Sequence, residues 1–125
     1  MKPATLVCVI IFCFFVAIGC VYEKEDILYP PAPCDTSSPS YSLIVQPIIS
    51  ANCYSCHDAT NSAVNGGGNQ LDSHSKLKVF ADNGDLVGTI THSPGHSPMP
   101  KNSAKLSDCD INKIKAWVDA GSPNN

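Results

Sequence analysis

The chain is predicted to fold as an all-α domain of three to five helices, and three stretches carry that expectation. The last is the clearest. Ser107 stands where an N-cap belongs, Asp108 and Asp110 place carboxylates in the first turn, and Ile111, Ile114, Trp117 and Val118 recur at helical spacing until Gly121 and Pro123 end the pattern. The second is the apolar run from Leu43 to Ile49, which leads toward Cys53. The third begins at Ser73, passes through Leu77 and Phe80, and stops before Gly84.

In chain order, Pro47 sets the first boundary. Proline is accepted in a helix's first turn, where its missing N–H has no bond to lose, so a helix is expected to start near Gln46 and run into Cys53. Asn61 to Gln70, with Gly66-Gly67-Gly68, reads as a flexible loop. Ser73 is expected to cap the next helix. Gly84 to Thr91 carries a weaker pattern, read as a further short helix. The stripe on the final helix reads as core packing.

The chain has 125 residues, 43% of them hydrophobic, and the average conceals a division. Apolar residues crowd into 1–19, which hold Phe12, Phe14 and Phe15, leaving Phe80, Trp117 and the tyrosines as aromatics for everything else. A small domain already buries a modest fraction of its surface, and this one is short of large side chains, so it needs a staple, a metal or a cofactor. With 8 lysines, no arginine and 11 acids, the net charge of −3 argues against a nucleic-acid binder, which would need a basic face.

Lys2 followed by the uncharged run Ala4 to Ile18 has the form of an export signal, expected over 1–19. The run ends in Ala17-Ile18-Gly19-Cys20, which resembles the lipobox of bacterial lipoproteins, with Cys20 as the lipidated residue and Ala17 in place of the usual Leu. The competing reading is an uncleaved anchor from Ala4 to Tyr22. Both readings tether the rest outside the cytoplasm, facing the periplasm or at the cell surface. A polar, Pro-rich tether follows over 20–33, with Pro30, Pro31 and Pro33, and the folded domain is expected over 34–125. Lys24-Glu25-Asp26 resembles a surface-export signal of some Bacteroidetes lipoproteins, and a solvated linker explains it equally well.

The 7 cysteines divide by fate. Cys8 and Cys13 belong to the export signal, Cys20 to the lipid, and Cys53 with Cys56 to the one Cys-x-x-Cys. Cys34 and Cys109 remain, and in an oxidising compartment they are expected to form a disulfide, the alternative being two buried thiols.

Residues 53–57 read Cys-Tyr-Ser-Cys-His, the attachment signature of c-type haem. Two thiols three residues apart reach both vinyl groups of one porphyrin as thioethers, and the adjacent His57 becomes the proximal axial ligand. The signature occurs once, so one covalent haem is expected. A thioredoxin-like pair would want a strand–loop–helix setting, and no strand-rich segment precedes Cys53. A zinc site would want paired ligands at both ends; His92 and His96 stand four apart, but Pro94 and Gly95 between them oppose the helix that would aim both at one ion. For the second axial position the exported portion offers one methionine, Met99, held between Pro98 and Pro100 in a polar stretch poorly suited to core filling. His96, His92 and His74 are its competitors, in that order, each more readily explained as surface polarity. Trp117 is expected against the first helix or against the haem edge.

Taken in order, Pro47-Ile48, Cys53-x-x-Cys56-His57, Ser97-Pro98-Met99-Pro100 and Leu106-Ser107-Asp108-Cys109, with Ile114 to Gly121 after them, make the chain resemble a small monohaem class I cytochrome c. The likeness is closest to the planctomycete-type cytochrome c domains of Bacteroidetes lipoproteins, and it covers 34–125. It implies an all-α fold with crosswise terminal helices around one covalent haem c, His57 and Met99 as axial ligands, and electron transfer to and from other redox proteins rather than bond-making catalysis. Such a carrier could serve an oxidoreductase as an accessory subunit. A haem-based ligand sensor, or a haem subunit with a labile axial position, is the alternative, and a zinc or thiol module the third class.

Overall fold

The computed structural model describes residues 33–125. The export signal over 1–19, Cys20 and the tether as far as Pro31 and Ala32 lie outside the described residues. Those described contain four α-helices and no strand, as an all-α chain requires. Among them no helix is long and apolar enough to cross a membrane.

The first helix begins earlier than proline chemistry alone suggests. A π-helical turn, Tyr41–Val45, runs directly into α1, Gln46–His57. Pro47 sits just where the register tightens from the wide turn to the α-helix. Its ring would clash with a carbonyl of the preceding turn in a regular α-helix, and the wider turn relieves that conflict. Ser40 caps the turn by accepting from the Leu43 N–H at 3.3 Å. Asn125 then clamps it from the other end of the domain: its main-chain oxygen accepts from Ser42 N–H at 2.9 Å, and its Oδ1 accepts from Tyr41 N–H at 2.8 Å. α1 also continues past Cys53 to His57, so the whole pentapeptide is helical.

α2, His74–Asp82, and α3, Asp85–Ile90, follow the intervening loop. Ser73 stands at the N-cap position of α2 but does not cap it; its hydroxyl pairs with Ser75 Oγ at 3.4 Å instead, which leaves the first N–H groups of α2 without that bond. Gly84, at φ 85°, turns the chain between the two helices, a conformation that favours glycine.

α4, Asp108–Asp119, matches the sequence pattern closely. Ser107 Oγ accepts from Asp110 N–H at 3.1 Å, capping the helix, and donates to the Asp110 carboxylate at 2.8 Å. At the far end, Gly121 N–H donates to Val118 O and Ser122 N–H to Trp117 O, both at 2.9 Å, with Gly121 at φ 89°. That is the Schellman arrangement, and it turns Pro123 back toward the helix, where its carbonyl accepts from Trp117 Nε1 at 2.9 Å.

The core joins these elements through Tyr41, Val45, Ile49, Leu77, Ala81, Leu86, Ile90, Leu106, Ile111, Ile114 and Trp117. Trp117 is fully buried, with ring centroids 5.9 Å from Tyr41 and 6.0 Å from His74. Of the two positions expected for it, Trp117 therefore occupies the one against the first helical segment. Cys34 and Cys109 are bonded, with Cα atoms 5.5 Å apart, which fastens the first described residues to the first turn of α4.

Candidate functional site

Residues three apart on an α-helix share a face, so the last turn of α1 sets Cys53 and Cys56 side by side with His57 next to them. Both thiols are free and half-buried. Burial pushes the Cys53 thiol up to about 11, with the neighbouring Cys56 adding to the effect. Such a thiol is neutral at neutral pH. Among the described residues, no three His, Cys, Asp or Glu side chains are grouped where they could hold a metal ion.

His57 has a defined tautomer. Its Nδ1 lies 2.9 Å from the main-chain oxygen of Asn69, an atom that can only accept, so Nδ1 carries the proton and donates it. In the neutral ring the lone pair is then on Nε2. This is how a metal-ligating imidazole is usually oriented, one nitrogen anchored to a carbonyl and the other left to the metal.

The loop after α1 is shaped to deliver that carbonyl. Asp58 Oδ1 accepts from the N–H groups of Thr60 at 2.9 Å and Asn61 at 2.6 Å, and Ser62 O accepts from Gly66 at 3.0 Å and Gly68 at 2.8 Å. Leu71 N–H then returns to His57 O at 2.8 Å. The stretch expected to be a flexible loop is thus a closed set of hydrogen-bonded turns. Gly66 lies so near α1 that a Cβ there would collide with Cys56 O and approach His57 Nδ1 to 2.9 Å. Gly66→Ala is therefore expected to destabilise the protein by roughly 1–3 kcal/mol in urea unfolding, since backbone or the anchored ring must move. Val64→Ala, at a side chain 85% exposed, should change stability by less than about 0.5 kcal/mol.

Cys53, Cys56 and His57 line a cavity of about 380 Å³ whose walls include Leu71, Phe80, Leu86, Ile90 and Met99. Its surface is mostly apolar, although polar side chains such as Asn52, Asn65, Asp85 and Lys101 also border it, and its size and apolar surface suit a bound organic cofactor. These walls come from α1, the loop after it, α2, α3 and the segment after α3, so the cavity brings together residues far apart in the chain. Met99 reaches it on a backbone held at both ends, its N–H donating to Thr89 O at 3.1 Å and its carbonyl accepting from His92 Nε2 at 3.0 Å.

The other three histidines have different partners. His92 is bound to Met99 O as described. His96 Nδ1 lies 3.3 Å from Asp85 Oδ1, and its ring presses on Gly88, where any Cβ would collide with it. His74 is half-buried: Nε2 donates to Ser122 O at 2.9 Å and its ring meets Tyr41 edge-on at 4.8 Å. Among the described residues, Met99 lines the cavity and none of His74, His92 and His96 does.

Comparison with protein-family models, with curated proteins and with solved structures finds no match. The chemistry therefore rests on these residues. Sequence reading brings out Cys53, Cys56, His57 and Met99, and the structure sets all four on one cavity. It does not bring out Asn69, whose contribution is a main-chain oxygen that any residue could supply, or Gly66, for which the glycine triplet is the visible signal.

Proposed function

We propose that this chain is an exported electron carrier, tethered through lipid at Cys20, that holds one covalent haem c and exchanges electrons with other redox proteins. The observation that carries the reading is the pairing of a His57 whose Nδ1–H is committed to Asn69 with free thiols at Cys53 and Cys56 on the same cavity as Met99. When bound, a haem supplies a one-electron ferric/ferrous couple. Cys53 and Cys56 would anchor it as thioethers, His57 Nε2 and Met99 Sδ would ligate the iron, and Leu71, Phe80, Leu86 and Ile90 would keep water from it. A thioether ligand favours the ferrous state relative to a second histidine. Two protein ligands leave no position for substrate. The Cys34–Cys109 bond supports an oxidising compartment, and the all-α fold suits the class I cytochrome c likeness.

A pyridine haemochrome spectrum of protein matured in a haem-attaching host should report covalent haem, and its absence ends the proposal. The reduced wild-type protein should then bind carbon monoxide at least about tenfold more weakly than Met99→Ala, because the gas must displace the thioether. Equal binding by both would replace the carrier with a ligand sensor.

A further inference from the structure

We propose that His92 is the positioning residue for Met99, an inference that rests on the reading of Met99 as an axial ligand. A thioether brings no charge to iron, so its hold depends on how narrowly its backbone is confined before it binds. Here that confinement comes from two bonds. Thr89 O takes the Met99 N–H at 3.1 Å, and the imidazole of His92 donates from Nε2 to Met99 O at 3.0 Å. Since Met99 O can only accept, the proton of His92 is on Nε2, and the ring acts as a strut across the loop.

The loop is arranged around that strut. Thr89 O, near the end of α3, also receives the His92 N–H at 3.3 Å, so one carbonyl gathers both ends of the segment from His92 to Met99. Ser93 N–H donates to Gly88 O at 2.9 Å, and Thr91 Oγ1 to Val87 O at 2.7 Å, which fix the turn leading into it. His92 itself sits at φ 57°, a left-handed conformation in which an L side chain is strained and glycine is not. A residue that served only the turn would be better as glycine. The imidazole accounts for the exception, because it joins the turn to the Met99 backbone.

The strain also supplies the test, since His92→Gly fits the backbone and removes only the side chain. The holoprotein in its oxidised form is titrated with imidazole, which displaces a weakly held thioether, and its reduction potential is measured. Far-UV circular dichroism checks that each variant is folded. His92→Gly should bind imidazole about tenfold more tightly than wild type, the effect of one lost hydrogen bond, and its potential should fall. His92→Gln, whose amide N–H reaches about as far as Nε2, should restore most of the wild-type behaviour. Wild-type imidazole affinity in folded His92→Gly, or an equal gain in the Gln variant, would overturn the positioning role. If wild-type protein itself lacks the methionine-to-iron charge-transfer band, the ligand reading fails, and this inference with it.

Discussion

A Cys53→Ala, Cys56→Ala double variant is expected to lack covalent haem and to lose the cooperative thermal transition of the domain. The helices cannot stand alone: α1 and α4 have 12 residues each, α2 has 9 and α3 has 6, while isolated helices shorter than about 12–15 residues are marginal in water. They persist through packing, and the packing surrounds a cavity of about 380 Å³ with Leu86 and Ile90 on its walls. Sealed and empty, such a space would cost roughly 9 kcal/mol at about 24 cal/mol per Å³. Sealed, that would be comparable with the roughly 5–15 kcal/mol net stability of an ordinary domain; open to water it costs less. On the proposed reading, a porphyrin bonded to Cys53 and Cys56 would be the apolar body that fills it. Far-UV circular dichroism should show most helix lost and no sigmoidal melt in the double variant, with residual order confined to the end where Trp117, Tyr41 and Asn125 meet. A compact variant that melts cooperatively would show that the chain needs no haem to fold.

The parts of this architecture legible in the sequence are those decided locally. The Ser107 cap, the stripe from Ile111 to Val118 and the Gly121 stop all concern residues within a turn or two, and the structure realises each of them. The Cys-x-x-Cys-His spacing is local as well, because a helix turns it directly into a shared face. What the sequence hides is decided by distant groups. Ser73 has the chemistry of a cap, but its hydroxyl is taken by Ser75, so propensity overstates it. The π-helical turn before Pro47 depends on Asn125, at the other end of the domain, for two of its main-chain bonds. His74 reads as surface polarity until the fold carries it between Tyr41, Trp117 and the Ser122 carbonyl. At the site the division is the same: Cys53, Cys56, His57 and Met99 stand out in the sequence, whereas the atoms that bond to His57 and to the Met99 backbone, Asn69 O and His92 Nε2, are matters of tertiary approach.

Replacing both Cys34 and Cys109 with Ser is expected to destabilise the domain by about 4–5 kcal/mol in the chain-entropy model, the second large effect. The bridge closes a separation of 75 residues, which encloses α1, α2, α3 and every wall of the cavity. The model assumes a free unfolded chain. On the haem proposal, covalent attachment would restrict only the neighbourhood of Cys53 to His57, but Met99 ligation retained in the unfolded chain would close part of the same loop, so the loss measured on holoprotein should fall toward the low end. Asn125 also ties the start of the domain to its end, through bonds to Tyr41 and Ser42, each worth about 0.5–1.5 kcal/mol net. Those bonds reform only once both termini are already close, so they act after the bridge rather than in place of it. At about 4–8 °C per kcal/mol for a domain of this size, the melting temperature should drop by roughly 15–40 °C. Wild type held under a thiol reductant should melt with the variant. The reduction potential should stay where it is in both, because neither Cys34 nor Cys109 lines the cavity. A double variant that melts within a few degrees of wild type would mean that the haem ligands and the Asn125 clamp already close the chain, leaving the disulfide little entropy to remove.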